Sequence, residues 1–172
     1  MLNKNNVGAI AKVPPSFRDR VTLLVKEASF GNSKNSGKPM ITLKCEIISP
    51  STASVDGKEY IIASQEITYY LGLSTELNGK AKSSPWAQTY DFLEKCGLPC
   101  EVDPESPNLE CFDRFTFDII GTTRERIATR QEGGKYVPIL DGNNKPISQG
   151  WEWSNGLGDV LGASDIKADS AV

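Results

Sequence analysis

The chain has 172 residues, 38% of them hydrophobic and 24% charged, with a formal net charge of -3 and an isoelectric point near 5.1. That length suits one ordinary domain with a real core, and the composition is that of a folded chain, not a disordered one. No apolar run approaches the ~20 residues that span a bilayer, and "MLNKNNVGAIAKVPPSF" lacks the charged-then-apolar order of a secretory signal, so no membrane association and a cytoplasmic location are expected.

Residues 1–16 read as an N-terminal arm. Phe17 to Ser29, "FRDRVTLLVKEAS", is the first strand, with Val21, Leu23 and Val25 on one face. The polar stretch from Gly31 to Lys38 follows, longer than a tight hairpin turn and carrying two lysines, and reads as a mobile arm. Met40 to Ser49 alternates Ile41, Leu43, Cys45 and Ile47 against Thr42, Lys44 and Glu46, the pattern of a half-buried strand. Glu59 to Leu71, after the turn "VDGKE", reads as a third strand. In "SSPWAQTYDFLEKCG" the period changes: Ser84 as cap, Pro85 at the first helical position, Trp86, Tyr90 and Leu93 as the apolar stripe and Gly97 as stop predict a helix. "RFTFDIIGTTRERIATR" and "GKYVPILD" then read as strands four and five around a "QEGG" turn, and the Gly-rich residues 154–172 as a linker and short flexible tail.

Three strands, a helix and two strands over residues 17–153 is the element order of an OB-fold, a five-stranded Greek-key barrel in which ligands lie across strands two and three, between the 1–2 and 4–5 loops. In that frame Lys34 and Lys38 sit on the 1–2 loop and Lys44 on strand two. Arg124, Arg126, Arg130 and Lys135 surround the 4–5 junction as a second basic jaw. The charge is unevenly spread: Met1 to Met40 carries a net +5 and Asp91 to Asp113 a net -6, as if one face were kept for a polyanion. Single-strand binders add aromatic platforms for stacked bases, and the candidates are Phe30, Tyr60 and Tyr70. Because Tyr69 and Tyr70 are adjacent on a strand, their rings point to opposite faces, and Tyr70 shares parity with Tyr60. Trp151 and Trp153 share a face of their own.

Catalytic chemistry finds little footing. There is no histidine, no phosphate loop, no dinucleotide fingerprint and no acidic cluster spaced for magnesium. Cys45, Cys96, Cys100 and Cys111 lack the two close pairs of a structural zinc site and read as reduced thiols behaving as small hydrophobes. A non-enzymatic binding protein without metal or cofactor is expected.

The run "VKEASFGNSKNSGKPMITLKCEIISP", a lysine-bearing polar loop followed by "GKPMI" and an alternating strand, resembles the OB-fold single-stranded DNA-binding proteins encoded by bacteriophages. The resemblance extends over Phe17 to Leu140. It implies a protein that coats single-stranded DNA during replication or recombination without sequence preference. It also implies replication or recombination proteins as partners of the C-terminal tail, although "SDIKADSAV" lacks the dense acidic ending common among such proteins. The rival reading is a structural or protein-interaction barrel such as a virion assembly component, whose binding would respond far less to salt.

Overall fold

A computed structural model describes residues 10–77 and 79–168. In chain order its elements are β1 (Arg18–Asn32), β2 (Pro39–Ser49), β3 (Thr52–Val55), β4 (Lys58–Ile61), β5 (Glu66–Gly72), α1 (Pro85–Lys95), β6 (Thr116–Ile127), β7 (Thr129–Glu132), β8 (Lys135–Pro138), β9 (Ser148–Trp153) and β10 (Val160–Ala163). They divide between two compact units. One holds Arg20–Ser51, Ala63–Ile120 and the chain from Asn155 on; the other holds the chain up to Asp19, Thr52–Ile62 and Gly121–Ser154.

The first unit is a nearly closed, five-stranded antiparallel barrel with one helix, an OB-like all-β fold. Its strand order is β10-β6-β1-β2-β5, which in barrel numbering is 5-4-1-2-3. The core follows from alternation along β2 and β5. Ile41 lies opposite Leu71, Leu43 opposite Tyr69 and Cys45 opposite Ile67, and all six are buried. β1 pairs with β2 along most of its length with register shifts between Thr22 and Leu23 and between Val25 and Glu27, bulges of the kind that let a long strand bend around a small barrel.

The expected helix forms where its caps predict. The Ser84 hydroxyl accepts from the Ala87 amide at 3.1 Å, Pro85 is the first residue, and Gly97 follows the last turn at φ +65°. Its buried face, however, is Thr89, Phe92 and Leu93. Trp86 and Tyr90 stack edge to face at 6.1 Å on the outer side, and Tyr90 is 41% exposed, so the apolar stripe is rotated from the expected one.

This helix packs against both edge strands, β5 and β10, where the barrel is not closed by a ladder. Each edge offers it a glycine. A Cβ on Gly72 would collide with the Pro85 Cβ, and one on Gly162 would lie 3.0 Å from the Lys95 carbonyl. Thr89 Oγ1 donates to the Gly72 carbonyl at 2.7 Å, and Asn155 Nδ2 donates to the Thr68 carbonyl at 2.8 Å. Phe92 and Tyr69 meet Phe117 edge to face beneath the helix, at 5.5 and 5.7 Å.

The closing strand is β10, so the Gly-rich segment expected as a linker is part of the barrel, with Val160 and Ser164 buried. Asp169, at the expected tail, lies outside the described residues. The stretch read as strand five holds β8, which pairs not with the barrel but with β7 at the end of the stretch read as strand four, Glu132 opposite Lys135 across the Gly-Gly turn. The stretch read as strand three is two strands. Ser64 takes φ +69° between them, and β4 pairs with β3 while β5 pairs with β2.

In the second unit Ile10 bridges β4, its amide donating to the Glu59 carbonyl and its carbonyl accepting from the Ile61 amide, both at 2.9 Å. The described end of the expected N-terminal arm is therefore tied down. β9 pairs with the second half of β6, and Trp153 meets Phe17 edge to face at 5.3 Å.

Candidate functional site

Cross-strand partners share a sheet face, so the ladders fix what the outside of β1, β2 and β5 presents. Glu46 and Glu66 stand opposite each other, with Lys26 reaching Glu46 at 3.5 Å. The next row is Glu27, Lys44 and Thr68, with Lys44 and Glu27 at 3.8 Å. The third row is Ser29, Thr42 and Tyr70, and beyond it lie Gly31, Met40 and Gly72. The face thus runs from an acidic end through a neutral middle to the Ser33–Lys38 loop. Lys44 lies in the balanced part, where its charge is matched.

Tyr70 is 52% exposed while Tyr69 fills the barrel, because adjacent strand residues face opposite ways. Tyr60 does not join it. It lies on β4 in the other unit, is 7% exposed and packs behind the bridge to Ile10, so it is core and not a platform. Phe30 pairs with Ile41, whose next neighbour is Leu71, so its ring is on the face opposite Tyr70. Exposed at the outer end of β1, it cannot stack on the same path as Tyr70.

The loop is not a loose arm. The β1–β2 ladder runs out to Asn32 and Pro39, leaving Ser33–Lys38 as a turn. The Ser33 amide donates to the Lys38 carbonyl and the Gly37 amide to the Ser33 carbonyl, each at 2.8 Å. Ser33 Oγ accepts from the Asn35 amide at 3.3 Å, Ser36 Oγ accepts from the Lys38 amide at 3.3 Å, and Gly37 takes φ +69°. Serine hydroxyls that compete for backbone amides explain why so polar a segment is ordered. Lys34 is exposed at its tip with no carboxylate in ion-pair range among the described residues. Lys38 turns inward to Glu76, Nζ to Oε2 2.6 Å. That hydrogen bond and the lysine charge hold the Glu76 carboxyl below its usual value.

Between this turn and the segment after β5 lies a groove of about 200 Å³, lined by Tyr70, Met40, Lys38, Ser36, Ser74 and Pro85 among others. Sequence reasoning missed Glu76, Met40 and Ser74, since nothing in residue spacing tells that the β5–α1 connection returns to the loop. It also missed the exposed Lys80 and Lys82 of that connection.

The other basic candidates belong to the second unit, and each arginine has a carboxylate. Arg124 Nε meets Glu152 at 2.9 Å, Arg126 the same carboxylate at 3.7 Å, and Arg130 meets Glu132 at 3.0 Å. Lys135 is exposed on the hairpin opposite Glu132. Tyr136 beside it is 74% exposed, unremarked in the sequence because a hairpin with no buried face looks like any alternating strand.

All four cysteines are free thiols, and burial pushes Cys45 and Cys96 up to about 12, far from a reactive thiolate. Among the described residues no histidine, cysteine or carboxylate group of three could hold a metal, and no helix is long and apolar enough to cross a membrane. No family model matches the chain, and neither does any curated protein or solved structure.

Proposed function

We propose that this protein binds single-stranded DNA with little base preference, as a binding protein and not an enzyme, along the outer face of β2 and β5 beside the Ser33–Lys38 turn. The observation that carries the reading is Tyr70. It is a half-exposed ring on the ligand-bearing face of an OB-like barrel, next to a groove and a loop that presents Lys34 and Lys38. A base stacks on a ring whatever its identity, and lysines on a turn follow a phosphate path without reading sequence. The setting that goes with this reading is replication or recombination of phage DNA in the host cytoplasm.

The test is fluorescence anisotropy of labelled oligo-dT against a duplex of equal length at low and moderate salt. Preferential, salt-sensitive binding of the single strand supports the reading. Equal binding of both forms, or binding of neither, sinks it, and the salt-insensitive capture of a protein partner would favour the assembly-module alternative.

A further inference from the structure

The groove beside Tyr70 has two rims, the Ser33–Lys38 turn and the segment following β5, and the Lys38–Glu76 ion pair joins them. The two partners are unequally held. The Lys38 side chain is 32% exposed and lines the groove, while that of Glu76 is 74% exposed. The cation is therefore part of the groove wall and the carboxylate is the solvent-facing partner. At about 200 Å³ the groove is below the ~300–1,000 Å³ of a drug-sized pocket and suits a single heterocycle. Its lining joins an aromatic ring, a methionine and a proline to the hydroxyl-bearing Ser36 and Ser74, a mixture that accepts a base's flat face and its polar edge.

We infer that Glu76 holds the place of a backbone phosphate at Lys38. One nucleotide of a single strand enters the groove with its base on Tyr70, and its phosphate displaces the Glu76 carboxylate. This rests on the nucleic-acid reading above and adds to it a competing residue and a site for one nucleotide. A carboxylate and a phosphodiester each carry one negative charge, so the exchange leaves the charge at Lys38 unchanged. An exposed ion pair of this kind is weak, so it restrains binding without blocking it. The phosphate that reaches Lys38 sheds its condensed cation, but the freed Glu76 carboxylate beside the strand retains one in its place, so the wild-type salt dependence under-reports the number of phosphate contacts.

The experiment measures labelled oligo-dT and an abasic oligomer of the same length across a salt series. The proteins are wild type, Glu76→Gln, Lys38→Gln and the double variant. Glu76→Gln binds oligo-dT tighter at low salt, on the order of threefold, with a slope of log K against log salt steeper by ~0.7, the value for one more single-strand phosphate contact. In the Lys38→Gln background the gain disappears, which separates release of Lys38 from the general benefit of deleting an acid. The abasic oligomer binds wild type at least about fivefold more weakly, the loss of one stacked base. Wild type that binds oligo-dT while Glu76→Gln leaves affinity and slope unchanged overturns the exchange and leaves the proposed function standing. So does a gain that persists without Lys38. Equal binding of abasic and dT oligomers removes the base from the groove. Wild type that binds no single strand at all refutes the proposed function itself.

Discussion

On the outer face of β1, β2 and β5, charge is graded along the strands. Acids stand at one end, matched pairs in the middle, and an aromatic ring with Lys34 and Lys38 at the other. The stretch from the second half of β6 through β9 carries basic side chains too, yet Arg124 and Arg126 share Glu152 and Arg130 meets Glu132. Its most exposed ring, Tyr136, stands on a hairpin and not over a sheet. What separates the two regions is that the face sets Lys34, with no carboxylate in ion-pair range among the described residues, beside an exposed ring and a groove, whereas every arginine of the other region is partnered. A cation whose charge is already met contributes little to capturing a polyanion, and a ring contributes stacking where a path of polar atoms leads to it.

The largest contrast is within the barrel itself, between two neighbouring tyrosines. Tyr69→Ala removes a fully buried ring that meets Phe117, and costs ~3–5 kcal/mol of unfolding free energy in urea titrations. Tyr70→Ala should leave the midpoint within the ±0.5 kcal/mol expected of surface changes. Similar losses for both would show that Tyr70 is packed and that the face has no free platform.

That contrast was legible before any coordinates, since period-two alternation from Ile41 to Ile47 and the pairing of one ring in with one ring out follow from strand geometry. The helix was legible for the same kind of reason: Ser84, Pro85 and Gly97 act locally, and their effects do not wait on tertiary structure. β10 was not. "VLGA" is short, buries chiefly Val160, and earns its place by pairing with β6 and passing under Lys95 at Gly162. The break at Ser64 was hidden by the apolar Ile61 and Ile62, which make "EYIIASQEITYYL" read as one strand. Within the site, Lys34 and Tyr70 were found because charge and alternation are sequence properties. Glu76 and Glu152 were missed because an ion pair between residues 38 and 76 or 124 and 152 exists only once the chain has folded.

The buried carboxylate of the barrel gives the next largest effect. Asp118 on β6 is desolvated, which alone would raise its pKa, but hydrogen bonds from Thr22 at 2.6 Å, Arg20 and Ser164, with the Arg20 charge, hold it below the usual value. A carboxyl whose folded pKa is depressed contributes stability above its unfolded pKa of ~3.9 and loses it as pH falls through the folded value. The barrel should therefore weaken below about pH 4, and in Asp118→Asn this part of the acid sensitivity should vanish while stability at neutral pH drops by ~1–3 kcal/mol. Parallel acid profiles for the two proteins in urea melts would mean that Asp118 does not hold β1 to β6.

Binding then separates the two regions directly. Tyr70→Ala should weaken oligo-dT binding by ~1–3 kcal/mol with the salt slope nearly unchanged, because no phosphate contact is lost, and Tyr136→Ala should leave affinity as it was. The reverse ranking in anisotropy titrations would move the platform to the hairpin.

The smallest expected effect is the most discriminating, because it asks what a partnered cation is worth. Lys34 stands on a hydrogen-bonded turn with no carboxylate in ion-pair range among the described residues, so a phosphate that reaches it sheds its condensed counterion, and Lys34→Gln should flatten the slope of log K against log salt by ~0.7. Arg124 and Arg130 must give up Glu152 and Glu132 before they can take a phosphate, and the released carboxylate then stands beside the strand as a repelling charge. Arg124→Gln and Arg130→Gln should consequently leave the slope where it is and change low-salt affinity by less than about twofold. Should either arginine variant flatten the slope as much as Lys34→Gln does, a carboxylate partner does not keep a cation from taking a phosphate.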